Sequence, residues 1–385
     1  MPSFNFSSEK VPQNEAPKNS SQEKDESLEK ARAIAGGGSY ERMMDELRAE
    51  KLLEENVKYV QKTYEGRLKK ENFEMKEKDW EMLTLIWLFD VGTFEHSIRT
   101  FELAETMVKR PMVVPGGETV AIETLLKREG VSSEQFLRAA LFHDVGKVII
   151  PREILLDHRS DEDLAPIVFP EKHFHEIGDV EEKKAALRAL YEKGLRPVDL
   201  APLNVLFPGE KGEEIMHKLE ERGFSKMATE REVLQKHESE SGRILTLGGC
   251  ILEGELAGHH HNYKREKTPY VMSVSMLRMS AETVGLGMAD LIHMADVTDA
   301  VRSKRSYKES MSDMEVLSVI AHDAKSGKID PFTAYVWVSN QYESARGQKK
   351  KTEKENEEGM IRYVDDFLKE NEDTFKINPP PALAA

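Results

Sequence analysis

The chain has 385 residues, enough for one large domain or two modest ones. Its 55 basic against 70 acidic residues leave a net charge of −15, which argues against broad electrostatic capture of duplex nucleic acid or of an anionic membrane. The single cysteine, Cys250, excludes an intramolecular disulfide and a cysteine-based zinc cluster, and without a secretory-type apolar start or an apolar run of membrane-spanning length a cytoplasmic protein is expected.

Residues 1–39 are rich in Ser, Glu, Lys, Asn and Gly and close on Gly36-Gly37-Gly38, a composition too poor in large apolar groups to order itself, so a disordered tail is expected. Residues 40–90 turn helical, with Met44, Leu47, Leu52, Val57 and Val60 set among charges and then Trp80, Leu83, Leu85 and Ile86. This reads as an appended helical region, a partner-binding stalk through which a homodimer would form. Ile98, Phe101, Ala104 and Met107 follow His96 at intervals of three and define one helix face. Ser133 to Val145 repeats the pattern with Phe136, Ala139, Ala140 and His143. The stretch of about 157–226 is Pro- and charge-rich and reads as an inserted subregion of short helices and turns, carrying His158, His173, His175 and His217. Thr229 to Glu232 has the form of a capping box and opens a helix on which Val233, His237, Ser241 and Ile244 share a face. A further helical run, ADLIHMADVTDAV, follows Met288, and Ile329-Asp330-Pro331 starts a last helix containing Trp337. Residues 346–385 are expected to form a mobile charged and Pro-rich tail. The fold class expected is all-α.

The chemistry concentrates in a series of imidazoles and carboxylates. A neutral imidazole beside a carboxylate, as in His143-Asp144, can ligate a metal if the helix ends there and turns both side chains to one pocket, and Gly146 suits such an ending. Alone, the pair is weak. His96 precedes it on an apolar-faced helix, His237 follows on another, and His259-His260-His261 and then Asp296 and Asp299 complete the series. A carboxylate among small and apolar residues is costly unless paired or metal-bound. The residues by themselves leave other readings open: satisfied core histidines at His96 and His237, a surface cluster at 259–261, and a helix cap at Asp299.

Taken in order, EHSIR, the HDxGK motif with Ile149 to Leu155, KHESESGRIL, HHHNY and ADVTDAVRSKRSYKE resemble the HD superfamily of metal-dependent phosphohydrolases, and within it the HD-GYP subgroup. The resemblance runs from about His96 to Trp337, interrupted by the insert, and implies a helical HD-domain bundle over residues 91–345 with the N-terminal helices as an extension. It implies that His96, His143, Asp144 and Asp296 hold one ion, and that Asp144, His237, His259 and His260 hold a second, with Asp144 bridging. Some members carry a third ion bound by a glutamate one turn before the first histidine; Gly92 stands there in this chain, so two ions are expected. The subgroup's Gly-Tyr-Pro falls on Lys267-Thr268-Pro269, which lacks the Gly and the Tyr.

A mixed nitrogen and oxygen ligand set suits Fe, Mn, Ni or Zn better than Mg, with iron expected first and manganese next. What the resemblance implies is a phosphodiesterase acting on a cyclic dinucleotide, cyclic di-GMP first, through attack of a metal-bridging hydroxide. Hydrolysis of another nucleotide or phosphoester, and a metal-binding signalling scaffold without turnover, are the alternatives. Lys147, one turn beyond His143, is placed to neutralise the reacting phosphate. Arg305, which matches the family's Arg before Tyr, and Lys308 are placed to bind substrate at the rim, Tyr263 to stack on a base, and Asp299 to orient a ligand from behind.

Overall fold

Charged stretches that read as tails fold as helices when a few small or apolar residues recur at helical spacing, and Ser21–Ala35 and Lys354–Ile377 do so. The computed structural model describes residues 21–36, 38–113, 119–128, 130–155, 160–191, 193, 195–225, 227–261, 287–302, 311–347 and 354–377. Where a disordered N-terminal segment was expected, Ser21–Ala35 is a helix, α1, with Ala31 and Ala35 fully buried. Their small side chains let α1 lie close against its neighbours. α2 (Tyr40–Ala49) and α3 (Leu52–Leu68) follow, then α4 (Glu77–Phe89). From Trp80 to Phe89, apart from the intermediate Glu81, α4 is buried on every side, the pattern of a helix at the centre of a core. α1, α3 and α5 (Val91–Lys109) all pack on it. The N-terminal helices therefore share one hydrophobic core with the rest of the chain and do not project as a stalk; the apolar faces that suggested a dimer are buried within the chain.

Asp90 caps α5 by accepting the Thr93 amide at 2.6 Å. A short antiparallel pair, β1 (Pro111–Val113) and β2 (Thr119–Ala121), with Pro111 opposite Ala121, is the one addition to an otherwise all-α architecture among the described residues. α6 (Ile122–Arg128) leads to α7 (Ser133–Phe142), which Ser132 and Gln135 open with a capping box. α7 ends at Phe142, and a 3-10 turn spans Val145–Ile149. Gly146 in that turn serves close approach rather than a helix ending. A Cβ there would lie 2.1 Å from the His237 carbonyl oxygen and 2.6 Å from the Ser241 nitrogen, and its amide donates to Ser241 Oγ at 2.8 Å.

α8 (Arg152–Leu155) leads into the insert, which holds α9 (Asp161–Val168), α10 (Val180–Tyr191), α11 (Pro197–Leu200), α12 (Leu203–Leu206) and α13 (Glu210–Glu221). Ala165, Phe174, Leu187 and Leu190 give it a small core of its own. Arg222 ties it back, donating to the carbonyls of Ile149 (2.5 Å) and Gly36 (3.3 Å).

α14 (Glu230–Leu247) starts at the capping box of Thr229 and Glu232 that the sequence predicts. It packs on α15 (Ile251–Ala257) along glycines: a Cβ on Gly242 would meet the Gly254 carbonyl at 2.9 Å, and one on Gly254 would meet the Gly242 carbonyl at 2.6 Å. α16 (Met288–Arg302) lies along α5. α17 (Asp313–Lys325), α18 (Pro331–Gly347) and α19 (Lys354–Ile377) pack on one another. α19 falls where a mobile tail was expected; Val364 and Phe367 bury it, and Tyr342 donates to Asp365 at 2.5 Å. Among the described residues no helix is long and apolar enough to cross a membrane.

Candidate metal centre

Helices α5, α7, α14 and α16, with the turn that follows α15, deliver their polar side chains to one buried place. α5 supplies His96, the end of α7 supplies His143 and Asp144, α14 supplies His237, the turn supplies His260 and His261, and α16 supplies His293 and Asp296. Donor atoms within 4.8 Å of one another form the sets His96, His143, Asp296; His143, Asp144, His260; His237, His260, His261; and His261, His293, Asp296.

The rings are oriented by their own helices. Nδ1–H of His143 donates to the Ala140 carbonyl at 2.9 Å, that of His260 to Ala257 at 2.6 Å, and that of His237 to Leu234. In each case the acceptor stands three residues earlier, which leaves Nε2 aimed inward with its lone pair available. His96 is oriented by a carboxylate instead: Nδ1 donates to Asp299 Oδ2 at 2.7 Å, and Arg99 grips Asp299 through Nε (2.7 Å) and Nη2 (3.0 Å). His96 Nε2 then faces Asp296 Oδ1 at 2.9 Å and Asp144 Oδ2 at 3.5 Å.

Asp144 divides its oxygens between two groups. Oδ2 lies 3.4 Å from His143 Nε2 and faces His96, while Oδ1 lies 3.3 Å from His237 Nε2 and 4.0 Å from His260 Nε2. Burial alone would raise the Asp144 carboxyl, but Lys147, His143 and His237 around it hold it well below the usual range. Burial would also raise Asp296, and His96 and His261 hold it down. The imidazoles of His237 and His260 are pushed down by burial, and that of His261 is lowered to about 3. Burial would lower His96 as well, but its bonds to Asp296 and Asp299 raise it to about 9. Ionised carboxylates and neutral imidazoles are the forms that bind metal, so His96 would have to give up a proton to an entering ion.

The fit to metal rests on two atoms. His143 Nε2 and Asp144 Oδ1 are buried and find no hydrogen-bond partner among the described residues, an expensive arrangement that cations beside them would satisfy. Residues 93–277 match the family model of the HD domain. That stretch, a little under half of the chain, is similar to the HD domain. Proteins of this family are metal-dependent phosphohydrolases, which makes the chain an enzyme of that class acting on a phosphoester with divalent metal. No curated protein and no solved structure gave a significant match. The HD match encloses His96, His143, Asp144, His237, His260 and His261 together with the insert; His293, Asp296 and Asp299 on α16 lie beyond it.

Of the residues expected at the centre, His96, His143, Asp144, His237, His260 and Asp296 converge. His259 does not join any of the donor sets; His261 stands there instead, because the chain turns after Ala257 and successive side chains leave that turn in different directions. Lys147 reaches the mouth of the centre, with Nζ 2.5 Å from Asp144 Oδ2. His173, His175 and His217 sit exposed on the insert. Tyr263, Arg305, Lys308 and the triplet Lys267-Thr268-Pro269 lie outside the described residues. The sequence reading missed His293, although its place three residues before Asp296 sets both on one helix face.

Asp299 fixes the ring of His96 through its bond to Nδ1. Asp299→Ala is expected to weaken metal binding by about 10- to 100-fold without loss of helix content. Metal titration followed by circular dichroism checks this; an unchanged affinity would refute the orienting role.

Proposed function

We propose that this HD-domain chain is a phosphodiesterase with two ions side by side, acting on a cyclic dinucleotide with cyclic di-GMP as the first candidate, in the cytoplasm. The observation that supports it best is the division of Asp144, one oxygen toward His96 and His143 and the other toward His237 and His260, which is the arrangement of a bridging carboxylate. His96, His143, Asp144 and Asp296 would hold one ion, and Asp144, His237 and His260, with His261 close by, the other. The mixed donor set favours iron, then manganese. When bound, such ions supply positive charge to the phosphate oxygens and a water acidified toward neutral pH.

The protein's own groups do the rest. Lys147, on a flexible stem anchored in the turn after Asp144, brings an ammonium to the entrance, where it neutralises charge that grows on the phosphate. The Nδ1 hydrogen bonds of His143, His237 and His260 to backbone carbonyls hold the donor set in place before substrate arrives. Arg305, Lys308 and Tyr263 are proposed to bind substrate. The absence of Gly and Tyr at Lys267-Thr268 leaves the choice of phosphodiester to experiment.

The full chain, purified without oxygen and loaded with Fe²⁺ or Mn²⁺, should linearise a cyclic dinucleotide when offered cyclic dinucleotides, nucleotides and a generic phosphodiester. Turnover of a nucleotide alone would replace the substrate class, and bound metal with no turnover of any member would replace the enzyme by a signalling scaffold.

A further inference from the structure

We propose that His293, with His261 and Asp296, forms a third metal position beside the two ascribed to Asp144. This rests on reading the buried cluster as a metal centre and adds a site to it. Three observations converge on α16. His293 and Asp296 stand one turn apart on its buried face, and both are nearly inaccessible to solvent. One nitrogen from each of His261 and His293 and one oxygen of Asp296 lie within 4.8 Å of one another.

The second observation is how Asp296 faces. Its Oδ1 serves His96 at 2.9 Å, and its Oδ2 lies 3.5 Å from His261 Nε2. Asp296 thus repeats, on the opposite flank, the two-sided disposition of Asp144. A carboxylate shared in this way joins the His96 position to a neighbouring one.

The third concerns the two nitrogens of His293. Nδ1 faces His261 Nδ1 at 3.3 Å, and Nε2 faces Asp323 Oδ2 at 4.0 Å. Asp323 is itself held by Lys328, whose Nζ is 2.8 Å from Oδ1. Asp323 marks the side of the ring turned away from the donors, at a distance too long for a hydrogen bond. Donor atoms on one first-row ion with bonds of about 2.1 Å stand about 3.0–3.5 Å apart, and the three donors here, one atom from each residue, lie within 4.8 Å of one another. Two imidazoles and one carboxylate select a first-row divalent cation over Mg²⁺ or Ca²⁺. No glutamate before His96 is needed, so the Gly92 that argues for two ions does not bear on this flank.

The test is metal stoichiometry. The full chain and the variants His293→Ala, His293→Gln and Asp144→Ala are saturated with Mn²⁺, desalted, and analysed for metal per chain by plasma mass spectrometry, with circular dichroism confirming fold. Glutamine keeps a hydrogen-bonding group beside His261 but is a poor ligand. Both His293 variants are expected to bind about one ion per chain fewer than the parent while keeping the others. Equal stoichiometry in the parent and both His293 variants overturns the third position, as does retention of every ion by His293→Gln alone, which would make His293 a hydrogen-bond partner only. If Asp144→Ala loses metal while the His293 variants lose none, the two-ion reading stands and this inference alone fails; a parent that binds no ion ends both.

Discussion

Replacing Asp144 by Ala is expected to remove most of the bound metal and to lower kcat/KM by roughly 10³-fold or more. The carboxylate is the only group in the centre whose two oxygens face the His96 and His237 sides at once among the described residues, so its loss withdraws a donor from both positions together. Metal at such a centre contributes several kcal/mol to the transition state, and each 1.4 kcal/mol or so is a factor of ten. The same change leaves Lys147 without its 2.5 Å partner and puts an ammonium beside imidazoles with no countercharge of its own. Asp144→Asn should fall nearly as far, because the amide keeps the shape and loses the charge. Metal per chain and turnover on the phosphoester panel measure the effect. Unchanged metal content in both variants would refute the bridging assignment.

The second large effect is on stability. Arg138 lies in the interior with its side chain 1% exposed, and that of Asp79 opposite is 2% exposed. Nε approaches both Asp79 oxygens at 3.2 and 3.1 Å, Nη2 donates to the Glu74 carbonyl (2.8 Å) and to Glu134 (2.9 Å), and Nη1 stands 3.7 Å from Glu253. Arg138→Ala would leave the Asp79 carboxylate buried without its cation, at a cost of about 3–5 kcal/mol. Because the penalty belongs to the stranded charge, Asp79→Ala combined with Arg138→Met should destabilise by less than the sum of the single changes. Urea denaturation at constant metal tests both. A loss under about 1 kcal/mol in Arg138→Ala, within the range of an exposed ion pair, would contradict the argument. The bond joins α4, α7 and α15, and the chain beyond α7 and α15 carries His143, Asp144 and His260, so the variant is also expected to bind metal less tightly.

The helices that carry the centre were legible because each has a strong local signature. His96 and His237 sit among apolar residues at helical spacing, Thr229 and Glu232 mark where α14 begins, and His143-Asp144 stands at the end of an amphipathic run. What was not legible depends on contacts between elements. Choosing His261 over His259 requires the direction of a turn, and three adjacent imidazoles carry no periodicity to reveal it. His293 read as one more helix residue because α5 must first pack on α16 before that face has a neighbour. α1 and α19 are mostly charged and are fixed by few side chains, Ala31 and Ala35 in one and Val364 and Phe367 in the other, too few to outweigh their polar composition before the core is known. Gly146 was noticed for a conformational reason and proved to matter for a steric one.

The hydrogen bonds that reach back three residues from His143, His237 and His260 have a consequence for how an ion is chosen. Each ring takes its bearing from a carbonyl of its own segment, so the lone pairs converge by virtue of the backbone and owe nothing to the guest. A pocket aimed in advance cannot stretch or shrink much around what enters it. Selection would then work by ionic radius and preferred polyhedron, a gauge set by the scaffold, and an ion of the wrong size would oblige the helices to shift to hold it.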